Sequence, residues 1–225
     1  MNMGNRAVIT TQQGWLCKEN NLGIYLHWNG GRDSVEAFLT YCKMHGYRRP
    51  ENDNYGWASL ATVISNFFGA SGDSVGIDIV SRLDYDNWDN GVYIIEDWQI
   101  VDRKCFKGHE QCEYNLEDFL RDIDEAMPEG ARLGEDFLSS VLVPTDEVEI
   151  GDTVFMEEIG GSYKKYEVIG FGEDKWVNGH KAMGVPYVKR YENDGGYTTN
   201  PNNYIWGATV RVVKRDTNYI KTEVE

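Results

Sequence analysis

The sequence predicts an α+β fold in which helices pack on a mostly antiparallel sheet, followed by a small all-β domain of the SH3-like barrel type. Residues 1–147 hold three amphipathic helix patterns mixed with strand patterns, whereas residues 148–225 hold short strand segments between turns. The chain has 225 residues and is 41% hydrophobic, which is enough to bury a core. We therefore predict an acidic α+β domain over residues 1–147 and a β-barrel-like domain over residues 148–225.

The first elements are two strands and a helix. Residues 6–11 and 22–28 have strand composition, and Asn29-Gly30-Gly31 then interrupts the second strand. Asp33-Ser34-Val35-Glu36 has the pattern of a capping box, in which Asp33 accepts from first-turn N–H groups and Glu36 reaches back. The apolar spacing that follows predicts a helix over about 34–45, ended by Gly46.

Two more helices are predicted by apolar stripes with caps. The second begins at Asn52 or Asp53, follows the stripe from Trp57 to Phe68 and ends at Gly69. The third is capped by Asn115 and stopped by Pro128.

The β segments fall in two regions. Residues 75–106 have β patterning, with Asn90-Gly91 as a type I′ hairpin signal. Residues 144–149 are predicted to be a linker. Beyond it, turn signals separate four strand segments, which are Thr153–Ile159, Tyr166–Phe171, Val185–Tyr191 and Ala208–Lys214.

Charge and hydropathy exclude several classes of function. The net charge is −15, and residues 1–147 hold 25 acidic against 12 basic side chains, so this part repels phosphates and favours a basic protein partner over nucleic acid. No apolar run approaches the roughly 20 residues that span a bilayer, and the first residues lack the apolar stretch of a signal peptide. These features predict a cytoplasmic protein whose four cysteines are thiols.

Two clusters have the residue types of metal sites. Cys105, His109 and Cys112, completed by Cys42 or His45, offer the soft ligands that tetrahedral zinc requires, but the spacing matches no common zinc motif. Residues 84–91 contain three aspartates with the approximate spacing of a calcium loop, although Trp88 occupies a ligand position. A buried thiol and a solvated turn are the simpler interpretations, and we predict no metal and no cofactor.

Two further hypotheses concern an enzyme and a ligand-binding protein. Cys17 with His27 or His180 has the residue types of nucleophilic catalysis, but no surrounding motif supports it. Trp28, Trp57 and Trp98 are candidates to line an aromatic pocket for a small molecule. The expectation from sequence is a protein that is not an enzyme.

The acidic tract from Glu110 to Glu147 is the preferred candidate site. Twelve carboxylates in this tract are opposed by Arg121 and Arg132 alone. Helical spacing places neighbouring carboxylates about 5–6 Å apart, so that they resemble the phosphates of a nucleic-acid strand. A solvated helix face is the alternative interpretation. The predicted partner-binding residues are Glu113, Glu117, Asp118, Asp122, Asp124, Glu125 and Glu129.

A longer motif resembles known but poorly characterised proteins. Residues 23–39, GIYLHWNGGRDSVEAFL, together with GVYII at 91–95, are similar to proteins of bacterial phages and mobile elements, and the similarity spans residues 5–130. Small acidic proteins of such elements include inhibitors of host defence, among them anti-CRISPR proteins that block RNA-guided nucleases. The resemblance implies a basic host partner, such as a CRISPR effector nuclease with positively charged channels. It implies no functional residue.

Overall fold

The structure of the chain, a computed structural model, forms two compact units, residues 1–133 and residues 134–225. It describes residues 5–69, 73–107, 110, 112–157, 163–172, 176–177, 180–181, 183–191, 197–198, 204–205 and 207–213. Helices and two mostly antiparallel sheets make the fold α+β, as predicted.

The first unit is built on a five-stranded sheet. Its strands are β1 (Ala7–Thr11), β2 (Leu22–Leu26), β3 (Val75–Ile79), β4 (Val92–Glu96) and β5 (Gln99–Lys104), in the order β3-β2-β1-β4-β5. The central pair β1 and β4 is parallel, with Val8 opposite Val92, and the other pairs are antiparallel. Because β4 pairs with β1 and β5, the predicted hairpin at Asn90-Gly91 is wrong.

The hairpin lies instead between β4 and β5. Asp97 and Trp98 both have positive φ, 49° and 58°, and connect the paired residues Glu96 and Gln99. This is the conformation of a two-residue type I′ turn, built without glycine or asparagine. The buried Trp98 indole donates a hydrogen bond to the carbonyl oxygen of Tyr47 at 3.0 Å. This bond attaches the turn to the chain at Tyr47.

Four helices belong to the first unit. They are α1 (Gln12–Leu16), α2 (Arg32–Met44), α3 (Asn54–Phe67) and α4 (Leu116–Ala126). The caps Asp53 and Asn115 and the terminating glycines Gly46 and Gly69, both at positive φ, are as predicted. The short α1 was not predicted. Helix α2 begins two residues before the predicted start, because Gly31 is its N-cap.

The two faces of the sheet bury different side chains. On one face Val8, Val92 and Ile94 form a cluster with Trp15 and Tyr25. Helix α2 contacts β5, and the guanidinium of Arg32 lies over the ring of Tyr93, so α2 covers the opposite face. Helices α2, α3 and α4 pack on one another through the rings of Phe38, Phe67 and Phe119.

The second unit is mainly a six-stranded open sheet in the order β12-β11-β8-β7-β13-β6. Its strands are β6 (Val141–Pro144), β7 (Thr153–Glu157), β8 (Tyr163–Phe171), β11 (Pro186–Tyr191), β12 (Tyr197–Thr198) and β13 (Thr209–Val212). A two-stranded ribbon consists of β9 (Trp176–Val177) and β10 (His180–Lys181), and α5 (Glu135–Leu138) precedes β6. Among the described residues no sheet is closed, so the predicted SH3-like barrel is not confirmed.

The boundary between the units differs from the predicted position at residues 147 and 148. The predicted linker, residues 144–149, begins at the last residue of β6, which pairs with β13 of the second unit. The Phe137 ring of α5 contacts the rings of Phe155 and Tyr163, with centroids 4.9 Å apart in both pairs. Residues 134–147 therefore belong with the second unit.

Candidate functional site

The capping box predicted at residues 33–36 does not form, because Gly31 is the N-cap of α2 and one oxygen of Asp33 bonds to a distant segment. One carboxylate oxygen of Asp33 accepts hydrogen bonds from the backbone N–H groups of Glu113 and Tyr114, the latter at 2.7 Å. Glu36 forms an ion pair with Arg32 at 3.1 Å instead of reaching back to the helix start. The predicted capping box is therefore wrong, and Asp33 fixes the segment that leads into α4.

A charged network holds the same segment to the sheet. The Arg32 Nε atom donates to both carboxylate oxygens of Glu110, at 2.8 and 2.9 Å, which raises the pKa of Arg32. Arg103 lies 3.6 Å from Glu110 and donates to the carbonyl oxygen of Asn90 at 2.7 Å. Within the described residues, the buried Tyr93 hydroxyl and one Arg103 nitrogen have no hydrogen-bond partner.

Helix α4 is attached to α2 by a buried carboxylate. The Tyr41 hydroxyl donates to Asp124 at 2.5 Å, and the backbone N–H of Leu133 donates to the same oxygen at 2.7 Å. Desolvation of the buried Tyr41 hydroxyl and its bond to Asp124 raise the pKa of Tyr41. These contacts fix the orientation of α4, so that the opposite side of the helix faces outward.

The structure divides the predicted partner-binding residues into two groups. Asp124 is only 6% exposed and forms internal hydrogen bonds, so it does not belong to a contact surface. The other predicted carboxylates are exposed along α4 and its flanks. This set, which we name the acidic face, consists of Glu113, Glu117, Asp118, Asp122, Glu125 and Glu129.

Among the described residues, two arginines in this region leave most of the acidic face without a partner of opposite charge. Arg121 forms an ion pair with Asp118 at 3.3 Å. Arg132 donates to the carbonyl oxygens of Met127 and Glu125, at 2.9 and 2.7 Å, and so satisfies carbonyl groups at the end of α4. The Arg121 ion pair offsets one of the six carboxylates, so the acidic face keeps a negative charge.

Exposed apolar side chains adjoin the acidic face at the start of α4. Tyr114 and Leu116 are 45% and 44% exposed and flank the N-cap Asn115. The Tyr114 ring also contacts the buried Phe119 ring, with centroids 4.8 Å apart, so one side of it is held in place. Sequence patterning did not identify Tyr114, because the exposure of a side chain at a helix start depends on the neighbouring chain.

The cysteine and histidine residues of the enzyme hypothesis are not brought together. Cys17 precedes β2 and His27 follows it, so a strand of five residues, about 16 Å long, separates them. The Cys17 sulfur accepts a hydrogen bond from Gln13 at 3.4 Å, while the His27 ring lies beside Tyr25 and Trp28. The side chain of His180 lies outside the described residues.

Several residues of the two predicted metal sites are buried or form ion pairs. Cys42 is fully buried in α2, which raises the pKa of its thiol, and His109 lies outside the described residues. Two carboxylates of the calcium-like loop, Asp84 and Asp89, form ion pairs with Arg6 at 3.1 and 2.8 Å. In the part of the chain that the structure describes, no three histidine, cysteine or acidic residues are grouped to hold a metal ion.

The three tryptophans of the predicted aromatic pocket are apart. Trp28 follows β2 and is 48% exposed, whereas Trp98 is buried at the turn after β4. Strand β2 is antiparallel to β1, whereas β4 is parallel to β1. The residues that follow β2 and β4 therefore lie at opposite ends of the sheet, and so do Trp28 and Trp98. Trp57 lines a cleft with a volume of about 450 Å³.

Comparisons with known proteins do not add a functional assignment. Among the described residues, none of the helices has the length and apolar character needed to cross a membrane. No family model matches the chain, and no curated protein or solved structure matches it either.

Proposed function

We propose that this chain is a binding protein whose acidic face occupies a positively charged groove of a basic partner protein. The observation that carries the proposal is the exposure of six carboxylates along one fixed segment, with the seventh, Asp124, used to hold that segment in place. A preorganised surface loses less conformational entropy on binding than a mobile acidic tail.

Electrostatics determine what kind of partner this surface suits. The net charge of −15 repels nucleic acid and a negatively charged membrane surface, and it attracts a basic protein at long range. Carboxylates on successive helical turns lie about 5–6 Å apart and present a row of negative charges comparable to a phosphate backbone. The acidic face is therefore suited to compete with nucleic acid for a groove.

Tyr114 and Leu116 supply the apolar part of the proposed contact. Binding energy at protein interfaces is concentrated in a few aromatic and apolar anchors, while surrounding charges increase the association rate and specificity. Because both side chains are exposed directly beside Glu113 and Glu117, one basic groove with an apolar floor can contact all four.

The resemblance of residues 5–130 to proteins of phages and mobile elements suggests which partner to test first. We propose an RNA-guided nuclease of a bacterial defence system, whose channels bind guide and target strands through positive charge. In this role the protein acts in the cytoplasm of the bacterial host as an anti-CRISPR inhibitor and needs no catalytic group.

The experiment is DNA cleavage by a guide-loaded type II CRISPR nuclease with and without this protein, over a series of salt concentrations. We expect inhibition at low salt that weakens as salt rises, because screening shortens the range of exposed charges. The triple variant Asp118→Lys/Asp122→Lys/Glu125→Lys is expected to lose the inhibition.

A matched variant separates the acidic face from net charge. Glu19→Lys/Asp73→Lys/Asp86→Lys makes the same change in charge at exposed positions outside the acidic face. It is expected to inhibit like the unmodified protein. Equal loss in both triple variants, or no inhibition by the unmodified protein at low salt, contradicts the proposal for this nuclease.

A further inference from the structure

A polar cleft in the first unit lies at the end of the sheet away from Trp28. One wall consists of Thr11, Gln13, Asn21 and Leu22, where β1 ends and β2 begins, and the other consists of residues 50–54 and Trp57. Ligands in α/β proteins often bind at the carboxyl ends of strands, and the cleft lies at that end of β1.

Both walls of the cleft are fixed by contacts outside it. The backbone N–H of Asp97 donates to the Glu51 carboxylate at 2.8 Å, so the wall segment is tied to the β4–β5 turn. Gly56 packs so closely on the backbone of residues 48–50 that a Cβ atom there would overlap it. On the opposite wall, the Asn21 side chain donates to the carbonyl oxygen of Cys17 at 2.9 Å. The cleft therefore has a defined shape without a ligand.

The charged groups of the cleft already have partners. Asp53 accepts from the backbone N–H of Tyr55 at 2.7 Å as the cap of α3 and forms an ion pair with Arg48 at 2.7 Å. Glu51 is bonded to the turn, as described above. Arg48 compensates the charge of Asp53, the β4–β5 turn holds the Glu51 carboxylate, and no cationic side chain is among the described residues that line the cleft, so we expect its ligand to be uncharged.

Neutral amides and one indole ring remain to contact a ligand. Within the described residues, the side chains of Asn52 and Asn54 make no hydrogen bond, and the Gln13 amide makes only a weak one, to sulfur at 3.4 Å. Each amide offers both donors and an acceptor. Trp57 is half-buried and adds a flat apolar surface with an N–H at its edge.

We propose that this cleft binds a neutral saccharide. Sugar hydroxyl groups both donate and accept hydrogen bonds, which matches the amides, and the C–H face of a pyranose ring packs on an indole. A nucleotide matches less well, because its phosphates meet no cationic side chain among the residues that line the cleft. Saccharide binding is separate from the acidic face and does not depend on its proposed partner.

The test is a titration of ¹⁵N-labelled full-length protein with glucose, galactose, N-acetylglucosamine, maltose and chitobiose, monitored by NMR. At least one saccharide is expected to shift the Asn52, Asn54 and Trp57 side-chain N–H signals, with a dissociation constant on the order of 1 mM. The variant Asn52→Ala/Asn54→Ala is expected to weaken that binding by about tenfold or more. Both positions are exposed, so the fold should be retained.

Asn20→Ala is the matched control, since Asn20 is an exposed asparagine near the cleft that does not line it. This variant should bind like the unmodified protein. The proposal is overturned if no saccharide shifts the cleft signals at about 50 mM, well above the expected dissociation constant. It is also overturned if the double variant binds equally well, or if adenosine or triglycine shifts these signals while the saccharides do not.

Discussion

At the scale of single residues, Gly91 is required for two separate reasons. Its φ is +73°, and a Cβ atom there would overlap the carbonyl oxygen of Lys104 on the neighbouring strand. We expect Gly91→Ala to lower the free energy of unfolding by about 1–2 kcal/mol from the backbone conformation and by roughly 1–3 kcal/mol more from the overlap.

Gly69→Ala provides the comparison for Gly91→Ala. Gly69 also has positive φ, +66°, but a Cβ atom there would have open space around it. Urea denaturation should therefore show only the loss from the backbone conformation for Gly69→Ala, about 1–2 kcal/mol. If both variants lose the same stability, close approach to Lys104 is not what requires glycine at position 91.

His45 makes the stability of the first unit depend on pH. Its ring is stacked on Tyr47 with centroids 4.7 Å apart, and burial lowers its pKa although the negative charge of Asp124 acts in the opposite direction. An unfolded histidine binds a proton near pH 6.5, whereas the folded one resists it until lower pH. Stability is therefore present above pH 6.5 and is lost as the pH falls from 6.5 toward the folded pKa.

We expect His45→Gln to remove that part of the pH dependence. Urea midpoints measured between pH 7 and pH 5 should fall less steeply in the variant, because a single titrating group contributes a slope of up to about 1.4 kcal/mol per pH unit. Parallel curves for the variant and the unmodified protein would show that His45 is protonated equally in the folded and unfolded states.

At the scale of secondary-structure elements, local sequence patterns predict helices better than they predict the pairing of strands. Asp53 and Asn115 cap helices through N–H groups two or three residues away, so sequence alone located these caps. Asp33 has the same chemistry but bonds to Glu113 and Tyr114, about eighty positions along the chain, which no local pattern encodes.

Strand pairing also depends on contacts between distant parts of the chain, which no local sequence pattern encodes. The parallel pairing of β1 with β4 joins segments far apart in sequence, and Asn90-Gly91 gives a hairpin signal although its glycine serves close packing instead. The real turn uses Asp97 and Trp98, whose strained conformation is stabilised by the burial of Trp98. The acidic face was predictable because exposed carboxylates dominate that stretch, while the burial of Asp124 depends on Tyr41 of another helix.

The carboxylates of α4 that are proposed to bind the partner also repel one another, and one substitution tests both effects. Asp118, Asp122 and Glu125 are like charges one helical turn apart or less, which destabilises the helix. Asp122→Lys replaces this repulsion by attraction to Asp118. We expect the free energy of unfolding to increase by about 0.5 kcal/mol, while inhibition or binding of the basic partner weakens.

Glu19→Lys controls for the change in net charge, because Glu19 is exposed and lies outside the helices. It should leave partner binding unchanged. If Asp122→Lys stabilises the protein and binds the partner as well as before, Asp122 is a solvated helix position and not part of a contact.

At the scale of the whole molecule, two cores account for two compact units. In the first unit α2 packs against the sheet and α3 and α4 pack on α2, whereas the second unit buries side chains of its own strands around Val154, Val168 and Val188. Much of the excess negative charge lies in the first unit, together with the acidic face and the polar cleft. We therefore expect residues 1–133 to fold independently and to carry both proposed binding activities.

Fragments that begin at different residues test the boundary between the two units. A cut between residues 133 and 134 leaves α5 and β6 with the second unit. A cut between residues 147 and 148 removes Phe137, which contacts Phe155 and Tyr163. It also removes β6, which pairs with β13. Loss of a buried phenylalanine costs about 3–5 kcal/mol, which is much of a typical domain's stability. We expect fragment 134–225 to show a cooperative thermal transition and dispersed NMR signals, and fragment 148–225 to show neither. Equal stability of the two fragments would mean that residues 134–147 contribute little to the core of the second unit.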